Sequence, residues 1–338
     1  MNQNRRAFCA QLASVPLLSA VGAGVIAPWR GAQAASTYPN KPMSIIVPFA
    51  PGGNTDIIAR MIGTTLSKQL DANLVIENKA GAGGNIGAAA VARARPDGYT
   101  LLYSTASSFA INPHVYSSLP FDPRTAFEPL AVTIQVPVVL VVTAESGIKT
   151  LDELAAHLRE NPDTAAYGSS GTGTSSHIAC HVLAQKLGVP KAVHVPYKQG
   201  PQVLTDLVGK QLTYAFDAWS VVGPQVRSGR LVALAVSSKE RLKAAPDVPT
   251  IDELLNTDFG VVTWNAYVAP SGLPTEIAAQ LREAIQAALK DPTINARLEN
   301  EGVPAYAPMT AEETRTFFAN EYEKWGELVK LVGATRVS

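Results

Sequence analysis

Short continuous apolar runs alternate along this chain with longer stretches whose apolar positions recur at helical spacing, and that order predicts an α/β protein. Residues 44–50 form an apolar run of buried-strand length. Ile57, Ile58, Met61, Ile62, Thr65, Leu66 and Leu70 then trace one face of a helix, and residues 74–77 read as a second strand. The Ala-rich segment 85–94 is helical in propensity, Pro96-Asp97-Gly98 is a turn, and 100–104 gives a third strand. Strand, helix, strand, helix, strand is the signature of a parallel, doubly wound sheet. Residues 137–143 form a strand with no helix of its own, as a crossing between lobes would. From residue 151 the alternation resumes, with helices at 151–159, around Ile178 to Leu187 and at 201–208, and strands at 165–168, 192–196, 212–216 and 231–236. Residues 261–269 are a return strand, after which the helical patterns of 276–290 and 311–329 are expected to pack on the first lobe. The expected division is lobe 1 from 35–138 and 256–338, and lobe 2 from 139–255, a hinged clamp.

The N-terminal 34 residues do not belong to that pattern. Arg5-Arg6 precedes a stretch from Ala7 to Trp29 without charge, and Ala32-Gln33-Ala34 has the small side chains of a cleavage site, so 1–34 is a signal peptide cut near Ala34. Asn4-Arg5-Arg6-Ala7-Phe8 resembles a twin-arginine signal; an ordinary secretory signal with an Arg pair is the alternative. No later run reaches the eighteen or so apolar residues of a membrane span. Removal of the signal leaves Cys180 as the only thiol, which excludes an intramolecular disulfide. It also leaves 25 basic residues against 28 acidic ones, a balance that points to neither nucleic acid nor a membrane surface.

Two loops carry the candidate chemistry. Residues 47–56 read VPFAPGGNTD and residues 167–177 read YGSSGTGTSSH; each leaves an apolar run, turns on glycines and small polar side chains, and enters a helix. The first N–H groups of a helix have no partner inside it and carry about half a positive charge, so each loop is a cradle for a carboxylate or phosphate. Neither contains Lys or Arg, and the expected ligand is a small anion held by backbone N–H groups and hydroxyls. Candidate contacts are Phe49, Ala50, Pro51, Gly52, Gly53, Asn54, Thr55 and Asp56 in the first cradle, and Ser169, Ser170, Thr172, Gly173, Thr174 and His177 in the second. Ser104 and Ser107 follow the third strand, and Asp217 is placed to accept a hydrogen bond from an amine, hydroxyl or water.

Several of these residues have plainer readings. Asp56 is equally a first-turn acid that stabilises its own helix, and the hydroxyls suit helix capping. Ser169, Ser170 or Thr174 with His177 and Asp217 has the composition of a hydrolase triad, but the chain has no Gly-x-Ser-x-Gly elbow around them. His177 and His181 are spaced as two ligands on one helix face without a third, so no metal and no cofactor is expected. Gly81, Gly83, Gly84 and Gly87 miss the dinucleotide fingerprint, with Ile86 where its third glycine belongs, and read as a tight turn. Trp219 either narrows the cleft or packs in the core.

The segments 39–56 (PNKPMSIIVPFAPGGNTD), 75–87 (VIENKAGAGGNIG), 96–102 (PDGYTLL), Asn112-Pro113, 167–174 (YGSSGTGT) with His177, 195–198 (VPYK) and 246–250 (PDVPT) stand in the order seen in the Bug family. These are the solute-binding proteins of tripartite tricarboxylate transporters. The resemblance implies a two-lobed periplasmic binding protein of the type II-like architecture, monomeric and not an enzyme. It implies closure on a small carboxylate, whether a di- or tricarboxylate, an acidic amino acid or an aromatic acid, and delivery to membrane permease subunits. In that family the loops corresponding to 48–56 and 169–177 clasp a carboxylate, partly through ordered water. The chain departs from many relatives after Asp217, where Ala218-Trp219-Ser220 replaces Asn-Leu-Pro or similar. A solute sensor and a serine hydrolase are the alternative functions.

Overall fold

A computed structural model describes residues 38–331 apart from Pro190 and Gln199; the segment 1–34, read above as a signal peptide, lies outside the described residues. The strands are β1 (Met43–Val47), β2 (Leu74–Asn78), β3 (Thr100–Thr105), β4 (Phe127–Thr143), β5 (Ala166–Ser169), β6 (Val193–Pro196), β7 (Tyr214–Ala218), β8 (Leu231–Val236) and β9 (Val262–Pro270). They form one mixed sheet in the order β2-β1-β3-β9-β4-β7-β5-β6, with β8 added on β4. The first three strands are parallel, as the alternation requires, and so are β6, β5 and β7 at the other end. The centre is antiparallel: β9 returns between β3 and β4.

β4 joins the two ends. Its first part, from Phe127 to Pro137, pairs with β9, and its second part, from Val138 to Thr143, pairs with β7 and β8. The segment 137–143 is thus only the end of a 17-residue strand. The earlier part was hidden because Pro129 breaks the apolar run and the ladder shifts register between Pro129 and Ala131 and again between Val132 and Ile134, where bulges place side chains out of simple alternation.

The helices are α1 (Asn54–Leu70), α2 (Asn85–Ala92), α3 (Asn112–Val115), α4 (Leu151–Glu160), α5 (Ser175–Lys186), α6 (Gly200–Val208), α7 (Trp219–Arg227), α8 (Ile251–Leu255), α9 (Thr275–Lys290), α10 (Pro292–Asn300) and α11 (Ala311–Leu331). A π-helical turn spans Ser107–Ile111. The stripe predicted for α1 is buried: Ile58, Ile62 and Leu66 share a core with Leu281, Ile285 and Leu289 of α9 and with Ile45, Leu101 and Tyr267 of the sheet. The last helices therefore do pack on the β1–β3 end. On the other face, Trp264, Phe109 and Trp325 belong to a core that continues through Leu140 and Val142 to Tyr214 and Phe216. A third core gathers Val139, Val141, Leu207, Trp219 and Val222. No helix among the described residues is long and apolar enough to cross a membrane.

Candidate ligand-binding site

Both predicted cradles open onto one cavity of about 70 Å³, room for roughly five water-sized spheres. From the first come Phe49, Ala50, Gly53, Asn54 and Thr55, from the loop after β3 comes Ser107, from the second come Ser170 and Thr174, and from β7 comes Asp217. Gly53 is the N-cap of α1, and no side chain caps that helix, so its first N–H groups are left to the cavity. The second cradle is different in kind. Thr174 caps α5 by accepting a hydrogen bond from the His177 N–H, and its hydroxyl also lies 2.7 Å from the Gly171 carbonyl and 3.0 Å from Ser176 Oγ. Ser170 Oγ lies 3.4 Å from the same Ser176. This is a ring of hydroxyls held in place by one another.

Several candidates serve the loops rather than line the cavity. The Asp56 carboxylate accepts from the Gly52 N–H (3.0 Å) and the Asn78 amide (2.9 Å) and pairs with Arg60 (2.8 Å). Burial alone would raise its pKa, but the bonds from Arg60, Gly52 and Asn78 outweigh it and hold the carboxyl below the usual range. Its helix-stabilising reading is the one that the contacts support. Ser169 is fully buried against His194, with Oγ 2.6 Å from Nε2. His177 stacks on His194 at 4.1 Å and takes the Gly173 N–H on Nδ1. Burial, then the neighbouring His194 and His181, push the pKa of His177 down to about 3, which leaves the ring neutral. Ser104 bonds Ser108 (2.8 Å) in the interior. Thr172 presents its carbonyl to the Tyr116 hydroxyl (3.2 Å), and Gly173, at φ 79°, lies so close to Asn112 that a Cβ would collide with it. Pro51 and Gly52 form the turn before α1, with Gly52 facing Pro201. None of these eight is a cavity-lining residue.

The structure supplies residues that the sequence analysis passed over. Lys198, exposed, lines the same cavity, as do Thr105 and Thr263 on adjacent strands, Val136 and Val138 on β4, and Ser175, Ser176, Gly200 and Ala218. Lys198 stands in the quoted VPYK segment, and its presence corrects the expectation of a site without a cation. Asp217 donates nothing and accepts from the Ala218 N–H (2.8 Å); burial pushes its pKa up to about 6. Trp219 packs against Gly223 and Gly302 in the core and leaves the cavity alone. Among the described residues, no group of three His, Cys, Asp or Glu side chains is placed to hold a metal ion.

Two further contacts join the ends of the sheet. Ser220 Oγ bonds Asn54 Oδ1 at 2.8 Å, and Gly83 lies against the Thr172 carbonyl so closely that only a glycine fits. A larger groove of about 670 Å³ lies on the opposite face of the crossing strands, lined by Gln135, Pro137 and Val262, whose neighbours Val136, Val138 and Thr263 line the cavity. Its charges are largely paired, as in Lys243–Glu299 (2.8 Å) and Lys324–Glu321 (3.0 Å).

An α/β sheet in two parts joined by one long strand, β4, with a small polar cavity between loops at strand ends, defines the periplasmic binding protein fold. The chain matches the tripartite tricarboxylate transporter family receptor, TctC, over residues 58–334, and it belongs to that family. The structure of the periplasmic binding protein BugD is similar with a TM-score of 0.85, at 34% identity and covering 89% of this chain and 100% of that one. MatC from Rhodopseudomonas palustris, solved with bound malate, matches at 0.81 and 31% identity over 86% of this chain and all of its own. An R. palustris protein solved with adipate matches at 0.83 and 30% identity over 89% and 100%.

Proposed function

We propose that this chain is a periplasmic solute-binding protein that captures a small carboxylate and presents it to the membrane permease subunits of a tripartite transporter. The observation that carries the reading is the uncapped start of α1 facing the hydroxyl ring of 170–176 across one small cavity. The carboxylate lies against the N–H groups of Asn54 and Thr55, Ser170 and Thr174 cover it from the far side, and Lys198 adds a positive charge at the exposed edge. Asp217 accepts a hydrogen bond from a hydroxyl, amine or water on the solute. The lobes are 38–138 with 256–331, and 139–255; β4 and the chain that leads into β9 are the crossings about which they close. Malate and adipate bound to relatives support a short aliphatic acid as the solute.

A thermal-shift screen of C4 to C8 mono-, di- and tricarboxylates, amino acids and aromatic acids tests this. A ligand that binds only the folded state stabilises it by about 2.7 kcal/mol at 100 times its Kd. At least one aliphatic acid is expected to raise the melting temperature; a screen in which none does refutes the reading.

A further inference from the structure

On β9, Val262 and Trp264 face one side and Thr263, Asn265 and Tyr267 the other, by strand alternation. The second row is polar where a core strand is normally apolar. Thr263 is 2% exposed, and its hydroxyl has no hydrogen-bond partner among the described residues; nor have the amide atoms of Asn265 or the hydroxyl of Tyr267, both fully buried. Asn265 lies beside the Tyr103 hydroxyl without reaching hydrogen-bond geometry. Of these orphans, Thr263 alone lines the cavity.

A buried hydroxyl without a partner destabilises the fold, and Val136 and Val138 line the same cavity without that cost. The hydroxyl at 263 therefore needs a partner that arrives from outside. Nearby, Thr105, which lines the same cavity, accepts the Ser107 N–H on Oγ1 (3.1 Å) and keeps one O–H to donate.

We propose that Thr263 contacts the solute directly, donating a hydrogen bond to its carboxylate from the sheet. The cage then has three sides: the start of α1, the hydroxyl ring before α5, and the floor made by β3 and β9. This rests on the carboxylate reading of the cavity. Thr263 was out of reach of the sequence because the strand that carries it meets the cavity only through pairing with β3 and β4.

The test is isothermal titration of wild type, Thr263→Val and Thr263→Ser with succinate, malate, adipate and aspartate, with melting temperatures of each protein without ligand. Valine keeps the shape and removes the hydroxyl. Thr263→Val is expected to bind the acid recognised by wild type about 10-fold or more weakly, as loss of a hydrogen bond to a charged group implies, while its ligand-free melting temperature stays level or rises. Thr263→Ser is expected to restore most of the affinity. Unchanged affinity in Thr263→Val overturns the inference and spares the functional reading, and a fall of several degrees in its ligand-free melting temperature marks the hydroxyl as structural and overturns it equally. Where wild type binds none of these four, the acid that stabilises it most in the thermal-shift screen takes their place, and a screen with no such acid removes the carboxylate reading and this inference with it.

Discussion

Among the described residues Asp217 is the single acid that lines the cavity, and its environment makes it titrate where few carboxyls do. Burial raises its pKa from 3.8 to about 6, and the one bond from the Ala218 N–H only partly offsets that. Between about pH 4 and pH 6 the folded protein holds a proton there that the unfolded chain has released, so stability falls as pH rises through this window and then levels off. Asp217→Asn removes the buried charge and keeps an oxygen for Ala218. The variant is expected to melt a few degrees above wild type at pH 7.5 and level with it at pH 4, in ligand-free melting curves across that range; a difference that does not change with pH would show that Asp217 is not strained by burial. Residue identity was legible at this scale where a local signature exists. Thr174 was readable as a cap because Ser175-Ser176-His177 follows it into a helix. Lys198 and Thr263 were not, since each reaches the cavity through the tertiary path of its strand or loop.

The element on which the site turns is the start of α1. Gly53 has an ordinary φ of −78°, and a Cβ there would meet nothing closer than the Ala50 carbonyl at 3.5 Å, so a side chain at this position fits the fold but projects at the cavity. Gly53→Val is therefore expected to fold, with a cap penalty of about 1 kcal/mol, and to lose affinity for the solute by about 100-fold or more, because the added methyls occupy the place of the carboxylate. Titration of this variant beside wild type checks it; a folded variant with wild-type affinity would move the site elsewhere. Most elements could be read directly, since α1, α9 and α11 have apolar stripes and β1, β3 and β8 are short apolar runs. Three of those that escaped have an identifiable local reason. α7 carries Gly223 and Pro224 inside it, α10 opens directly on Pro292 after Asp291, and the first half of β4 contains Pro129 and two bulges.

At the scale of the molecule, two parallel sheet ends meet across an antiparallel centre in which β4 serves both. Two contacts, Ser220 with Asn54 and Gly83 with Thr172, hold the two ends of the sheet together. On the proposed reading, a solute favours the closed arrangement only by contacts it gains there, so an acid too short to reach from α1 to the hydroxyls of 170–176 is expected to bind weakly and close the lobes little. The alternation of elements and the resemblance of seven ordered segments made the two-part architecture legible; the shared β4 and the opposite groove emerge only from pairing that sequence spacing does not encode. The most direct measurement is a crystal structure with the acid that stabilises the protein most. The expected result is one carboxylate within about 3 Å of the Asn54 or Thr55 backbone nitrogen and of a hydroxyl from Ser170 or Thr174. An acid seated instead in the groove beside Lys239 and Arg241, with the cavity holding only water, would contradict the account.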